Sequence, residues 1–481
     1  MRITPAVLRR LAATCALFAA AATLPAQSAP NDPRAVAVLD RAITRMGGEA
    51  ALRSIRTLRM DVLTQWQRTH FADHPYADQP SFERHVDLRD YSTNAWRNTR
   101  SFIPNGSTVD IVRDTVGGRS IALPNGGAML MPLNLAYVDE RRELFAFAPE
   151  RTLLLARDAG GLTLLADTSI GGLAHARVRG TVDGFPTTWF LRRSDGLLTM
   201  VRFRADETND FGLAMWGPMD VETWFSAWAP TPQGALIPRQ RDVRRVGRPY
   251  KRMTILTMAA NAPAPADSFA IADSIVSKYL ATEQRPMWDA PLDSAKLIEN
   301  DFAMIPPFLG VSGAVRVGGQ WVLLESGQRD GAAAKVAQWF ARNTPESPLA
   351  AAVVTNLGPS NGGAKWFAAQ KKPVYAAPGA VPVLRQVVGA TAMPRISVVD
   401  ASRWVKVGSD SLWLERVDTP DGHGAMVVYS PTLKWIYGMN VIGRPAAKAE
   451  QDAIIARLRA RGFTVEWIAT PRAIRVALPK P

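Results

Sequence analysis

The stretch Val353-Val354-Thr355-Asn356-Leu357-Gly358-Pro359-Ser360-Asn361-Gly362-Gly363 decides how the C-terminal half of this chain folds. It continues an apolar run, Leu349 to Val354, that suits a buried strand, and it precedes a helix-like segment, Ala364-Lys365-Trp366-Phe367-Ala368-Ala369-Gln370. Pro373-Val374-Tyr375-Ala376-Ala377-Pro378 comes next, followed by Ala380-Val381-Pro382-Val383-Leu384-Arg385. The order is strand, turn, helix and short strand.

That order resembles the metallo-β-lactamase superfamily. There a buried strand ends in Thr-His-x-His-x-Asp-His, a Gly-Gly follows, and a helix leads to a short strand. Aligned on Thr355 and on Gly362-Gly363, Asn356, Gly358, Ser360 and Asn361 take the places of His, His, Asp and His, with one residue missing before the glycines. The resemblance extends over about 300–481. Gly313 to Val317 and Gln320 to Gly327 match the opening hairpin, with Glu325 in the place of an aspartate. Ala332 to Phe340 suits the first helix. Asp421-Gly422-His423-Gly424-Ala425 resembles the segment whose histidine is a zinc ligand. After Gly438, where the family has its bridging aspartate, stand Met439 and Asn440. Only Ala469-Thr470-Pro471-Arg472 matches the closing phrase. The resemblance implies an αββα sandwich, and zinc as the family's cofactor.

The residues do not supply zinc chemistry. A hydrolytic zinc site needs three or more deprotonatable nitrogen or oxygen ligands around one open position. Residues 300–481 contain a single histidine, His423, out of five in the chain, and a lone histidine is ordinarily structural. No cofactor is expected. His70 and His74, with Asp73 and His85 nearby, form a second grouping, but Pro75 and Pro80 make that region a loop with surface histidines. Gly358-Pro359-Ser360-Asn361-Gly362 also fits the nucleophile-elbow pattern, and Asp400, Asp410 or Asp418 followed by His423 would complete a Ser-Asp-His order. Pro359 restrains the turn that such an elbow must strain, and the fold explains strand–turn–helix without a nucleophile.

The N-terminal half follows a different rule. Asn31-Asp32-Pro33 starts a helix, Val36, Leu39, Ile43 and Met46 recur at helical spacing, and Gly47-Gly48 ends it. A short turn, Glu49 to Ser54, leads into an alternating strand, Thr57 to Trp66. To about Met258 the chain then reads as strands and turns, with hairpin signals at Asp183-Gly184 and Asp195-Gly196. One helix followed by a long antiparallel meander resembles the half-barrel of periplasmic lipoprotein-carrier proteins, a likeness carried by Leu39-Asp40-Arg41-Ala42-Ile43 and the Gly-Gly-Glu-Ala sequence. It implies an amphiphilic or lipid ligand. Trp66, Trp96, Trp189, Trp216, Trp224 and Trp228 fall in this half, where sheet packing is their ordinary role.

Residues 1–29 read as a secretory signal: Arg2, Arg9 and Arg10, then Leu11 to Leu24, then Ala26-Gln27-Ser28-Ala29. The apolar run is shorter than the roughly 20 residues of a membrane span, and no later stretch qualifies. Cys15, the only cysteine of 481 residues, lies inside this segment, which excludes an internal disulfide in a processed chain. The formal net charge of +14 falls to about +11 without the three arginines of the signal. The remaining arginines are scattered without a basic run, which argues against nucleic acid.

The expectation is an exported α+β protein, periplasmic or secreted. Its segments are a signal at 1–29, a β-rich meander with one packed helix at 30–260, a linker and connector helix at 261–299, and a metallo-β-lactamase-like sandwich at 300–481. Non-catalytic binding or scaffolding is the favoured function. A divergent hydrolase of the superfamily, or a serine hydrolase using Ser360, is the rival.

Overall fold

The structure, a computed structural model, describes residues 30–66, 81–102, 106–114, 120–123, 143–206, 218–265, 267–274, 276–277, 292–305, 313–327, 329–355, 361–419, 422–439, 441–443, 448–469 and 476–478. The signal segment, His70, Asp73, His74 and Trp216 lie outside them.

Helix α1 (Pro33–Arg45) begins as the sequence requires. The Asp32 side chain accepts the Arg34 N–H at 2.9 Å and Pro33 occupies the first turn. Its buried face is Ala35, Leu39, Ala42 and Ile43. The helix ends where only glycine fits: Gly47 has φ +110°, and a Cβ there would lie 2.4 Å from the Gly234 carbonyl oxygen. Helix α2 (Glu49–Ser54) follows.

Twelve strands form one antiparallel sheet: β1 (Thr57–Trp66), β2 (Ser81–Asp90), β3 (Ala95–Phe102), β4 (Gly106–Asp114), β5 (Ser120–Leu123), β6 (Thr163–Ile170), β7 (Leu173–Val182), β8 (Phe185–Arg192), β9 (Leu198–Asp206), β10 (Pro218–Pro230), β11 (Leu236–Arg245) and β12 (Arg248–Ala260). The order is β5-β4-β3-β2-β1-β12-β11-β10-β9-β8-β7-β6. Two meanders therefore join where β1 pairs with β12, Leu58 opposite Ala260. The two edges, β5 and β6, are consecutive in sequence, and a helix absent from the sequence reading, α3 (Pro149–Ala159), lies between them. Pro149 in its first turn and Gly160 after its last residue are ordinary helix signals. The Trp189 indole N–H donates to Thr152 at 2.9 Å, and Leu153, Leu154 and Ala156 enter the core beside Leu39 and Val178. The meander thus packs more than one helix.

Strand β2 departs from ordinary patterning. On one face Glu83, His85, Asp87 and Arg89 are buried, whereas Phe82 on the opposite face is 58% exposed. His85 is accordingly an interior residue and not a surface histidine.

The C-terminal half is a four-layer sandwich. One mixed sheet holds β13 (Lys296–Ile298), β14 (Phe302–Met304), β15 (Gly313–Val317), β16 (Gln320–Leu324), β17 (Leu349–Val354), β18 (Val374–Ala376) and β19 (Ile396–Val398), paired in that order. The second holds β20 (Ser402–Val407), β21 (Asp410–Thr419), β22 (Gly422–Ser430), β23 (Trp435–Tyr437), β24 (Trp467–Ala469) and β25 (Val476–Ala477). Between the sheets Val315, Leu324 and Val353 meet Leu412, Met426 and Trp435. Helices α4 (Asp330–Asn343), α5 (Ala364–Ala369) and α6 (Val381–Val388) cover the outside of the first sheet through Val336, Phe340, Phe367 and Leu384. Helix α7 (Lys448–Ala460) covers the second through Ile454, Ile455 and Leu458. The expected αββα order is present. Among the described residues no helix is long and apolar enough to cross a membrane.

Candidate functional site

The chain ends of β17 and β23 meet the inner part of β22 at one rim of the sandwich, and Thr355 is their junction. The Thr355 carbonyl accepts the Met426 N–H of β22 at 2.8 Å, and its hydroxyl accepts the Met439 N–H at 2.9 Å. Thr355 in turn donates to Glu325: its N–H lies 3.1 Å and its Oγ1 2.5 Å from Glu325 Oε1. The Tyr437 hydroxyl donates to the same oxygen at 3.3 Å. Glu325 and Thr355 are fully buried, and Glu325 holds a left-handed backbone at φ 68°. Such a backbone is disfavoured for a residue with a Cβ, so the surrounding contacts must hold it there.

The glycines of the motif serve the same closure. Gly363 donates its N–H to the Gly327 carbonyl at 2.8 Å. A Cβ on Gly363 would stand 1.9 Å from the Ser326 carbonyl oxygen. Asn361, immediately before, is fully buried, and neither its amide oxygen nor its amide nitrogen has a hydrogen-bond partner among the described residues.

Of the sequence-predicted positions, Asn361 and Met439 are placed at this rim. Asn356, Gly358, Ser360 and Asn440 lie outside the described residues. His423 belongs to β22, one residue before Gly424, where an added Cβ would lie 2.7 Å from the Gly379 nitrogen.

The side chains described at this rim include a buried carboxylate, a thioether and a neutral amide. Glu325 accepts hydrogen bonds from Thr355 and Tyr437 on a single oxygen. Met439 presents a thioether where the family has its bridging carboxylate, and soft thioethers favour copper over zinc. Asn361 offers a neutral amide. Among the described residues no group of three His, Cys, Asp or Glu side chains is placed to hold a metal ion.

A second polar constellation was not read from the sequence. It occupies part of the inner face of the twelve-stranded sheet. Arg89 pairs with Asp87 at 2.9 Å and lies 3.7 Å from Glu150 of α3, while Arg241 of β11 approaches Glu150 at 3.4 Å. The Tyr91 hydroxyl donates to Glu150. Glu143 bonds Lys251 and lies 3.7 Å from Arg245. His85 Nδ1 lies 3.3 Å from Glu83. Burial pushes the Asp87 carboxyl up, but Arg89 outweighs it and holds the group below the usual range. Glu83 and Glu143 are held low in the same way, against burial, by His85 with Arg100 and by Lys251 with Arg245. Burial lowers Arg241 despite Glu150, whereas Arg89, facing Asp87, is raised despite its burial. The alternation of charges along Glu83-Arg84-His85-Val86-Asp87-Leu88-Arg89 was the available signal, since residues at period two share one face.

Cavities adjoin this half among the described residues. One of about 300 Å³ is walled by Phe145, Ala146, Leu155 and Val182 and edged by Arg151.

No family model matches the sequence. No curated protein matches it either. Solved structures are similar to parts of the chain. A metallo-β-lactamase from Pontibacter korlensis is 15% identical over 36% of this chain and 88% of that one, with a TM-score of 0.28. A protein domain assigned to outer membrane lipoprotein sorting, from Vibrio parahaemolyticus, is 8% identical over 50% of this chain and 99% of its own, with a TM-score of 0.34. A domain-of-unknown-function family protein from Desulfovibrio piger is 10% identical over 49% and 97%, also with a TM-score of 0.34.

Proposed function

We propose that this is an exported, non-catalytic binding protein in which a metallo-β-lactamase-type sandwich serves as structural frame. One observation carries this: at the position of the family's bridging carboxylate stands Met439, whose N–H is spent on Thr355. The rim that would present a metal is a latch between sheets. Elemental analysis of the purified mature chain tests it. Substoichiometric zinc is expected, with no chelator-sensitive hydrolysis of β-lactams, lactones or thioesters. One tightly held zinc per chain, or activity lost to chelator and restored by zinc, would show a divergent hydrolase instead.

The N-terminal half takes an amphiphile in this scheme. The inner face of its sheet is divided: β6 to β10 present Val178, Trp189, Val201 and Val221 under α1 and α3, while β2, β11 and β12 present paired charges. A long acyl chain along the charged part would break ion pairs that are costly to leave uncompensated. The apolar cavity at Phe145 and Leu155, with Arg151 at its edge, is the compatible place, and each buried methylene there contributes about 0.8 kcal/mol. Lysophospholipid titration should quench tryptophan fluorescence, and Leu155→Asp should abolish the response. An undiminished response in that variant would move the ligand elsewhere.

A further inference from the structure

The outer face of the twelve-stranded sheet is rich in arginine, and several of these arginines are neutralised in place. Arg202 pairs with Glu222 at 2.7 Å, Arg204 with Asp220 at 3.1 Å, Arg252 with Asp242 at 3.0 Å and Arg192 with Asp195 at 2.5 Å. Arg244 of β11 differs. Among the described residues no carboxylate stands within ion-pair distance of it, and its guanidinium lies 5.1 Å from the centre of the Trp224 ring. The Trp224 indole is itself oriented, its N–H donating to Glu222 at 3.1 Å.

Beside this pair lies a cavity of about 350 Å³, lined among others by Thr199, Trp224, Ser226, Trp228, Asp242 and Arg244. Its size falls within the range of small-molecule sites, roughly 300–1,000 Å³. Ala227, between the two flanking positions, takes a left-handed backbone at φ 53° and interrupts the ladder between Ser226 and Trp228 without changing register. A non-glycine residue in that region costs free energy, and such residues gather at ligand sites.

We propose that this cleft binds an acidic saccharide, with a hexuronate ring against the tryptophans and its carboxylate on Arg244. Each part of the ligand has a counterpart. The C–H face of a pyranose is apolar and packs on an indole, which offers a large rigid contact. A carboxylate satisfies a guanidinium with two parallel hydrogen bonds. Sugar hydroxyls donate to Asp242 and exchange bonds with Ser226. A fatty acid lacks the hydroxyls for these polar walls, and an aromatic acid leaves Asp242 without a donor from the ligand. The net charge of about +11 left without the three arginines of the signal draws a polyanion to the surface.

The proposal rests on the chain being a binding protein, but on a different surface from the rim of the sandwich. The test is calorimetric titration of the mature full chain with trigalacturonate and with its fully methyl-esterified form. Binding of the acid is expected, with quenching of tryptophan fluorescence, and the ester should bind at least tenfold more weakly. Arg244→Gln should weaken the acid at least tenfold. Arg204→Gln, on the same face but away from the cleft, should leave it unchanged. No binding of the acid overturns the proposal. So does equal affinity for the ester, wild-type affinity in Arg244→Gln, or an equal loss in Arg204→Gln, which would mean attraction to general surface charge. None of these outcomes bears on zinc content, so a failure here is distinguishable from a failure of the non-catalytic sandwich.

Discussion

Glu325 and Thr355 join the two sheets of the sandwich from its inside: one carboxylate oxygen of Glu325 takes both the N–H and the hydroxyl of Thr355, while Thr355 takes N–H groups from Met426 and Met439. Both residues are fully buried, so no water replaces a lost partner. Glu325→Ala leaves the Thr355 donors orphaned and should cost about 2–4 kcal/mol, the scale for removing a charged hydrogen-bond partner in the interior. Urea denaturation checks it. A loss below about 1 kcal/mol would mean that the latch contributes little.

Gly363 is a matter of space and not of backbone angle. Since a Cβ would meet the Ser326 carbonyl at 1.9 Å, Gly363→Ala must push α5 off the end of β16. Overpacking of this kind typically costs about 1–3 kcal/mol, and a clash with backbone belongs at the upper end or beyond. Gly331→Ala, where an added Cβ meets nothing within 4 Å, is the matched control and should be near neutral. Equal melting temperatures for the two variants would contradict the described close approach.

Acid should unfold the twelve-stranded sheet through its inner carboxylates. Asp87, Glu83 and Glu143 are held below the usual carboxylate range by neighbouring cations. A depressed folded value means that their stabilisation is complete above the unfolded pKa of roughly 4 and is lost as pH falls through the lower folded values. Circular dichroism between pH 7 and pH 2 should therefore show a stable plateau that collapses below about pH 4. Asp87→Asn should be less stable at pH 7 and show a shallower acid limb. An unchanged limb would assign acid sensitivity to other groups.

Removing one partner of the same network should be costly at neutral pH. Asp87→Ala leaves Arg89 buried beside a neutral side chain, with Glu150 as its remaining acid at 3.7 Å. Breaking a buried pair from one side typically costs about 3–5 kcal/mol. Chemical denaturation would read this. A cost under about 1 kcal/mol would show that Glu150 alone compensates Arg89.

What could be read from sequence was local or periodic. Helix α1 was legible because Asp32, Pro33 and the spacing of Leu39 and Ile43 each act over a single turn. The Asp183-Gly184 hairpin was legible because its two residues need positive φ, observed at 51° and 79°. The order of the sandwich was legible because buried strands declare themselves as apolar runs such as Leu349 to Val354. The motif positions Asn361 and Met439 were found by alignment on Thr355 and Gly438, although that alignment says nothing of what they touch.

Tertiary structure alone decided the rest. Strand β2 offers two faces of mixed polarity, and it buries Asp87 and Arg89 because Glu150 and Arg241 arrive from elements 61 and 152 residues further along the chain than Arg89. Period-two patterning cannot foresee this, since burying a charge is unfavourable until its distant partners are in place. The same holds for Thr355. From sequence alone it is a threonine ahead of missing ligands. Its work of joining two sheets exists only once β16, β17, β22 and β23 have converged on it.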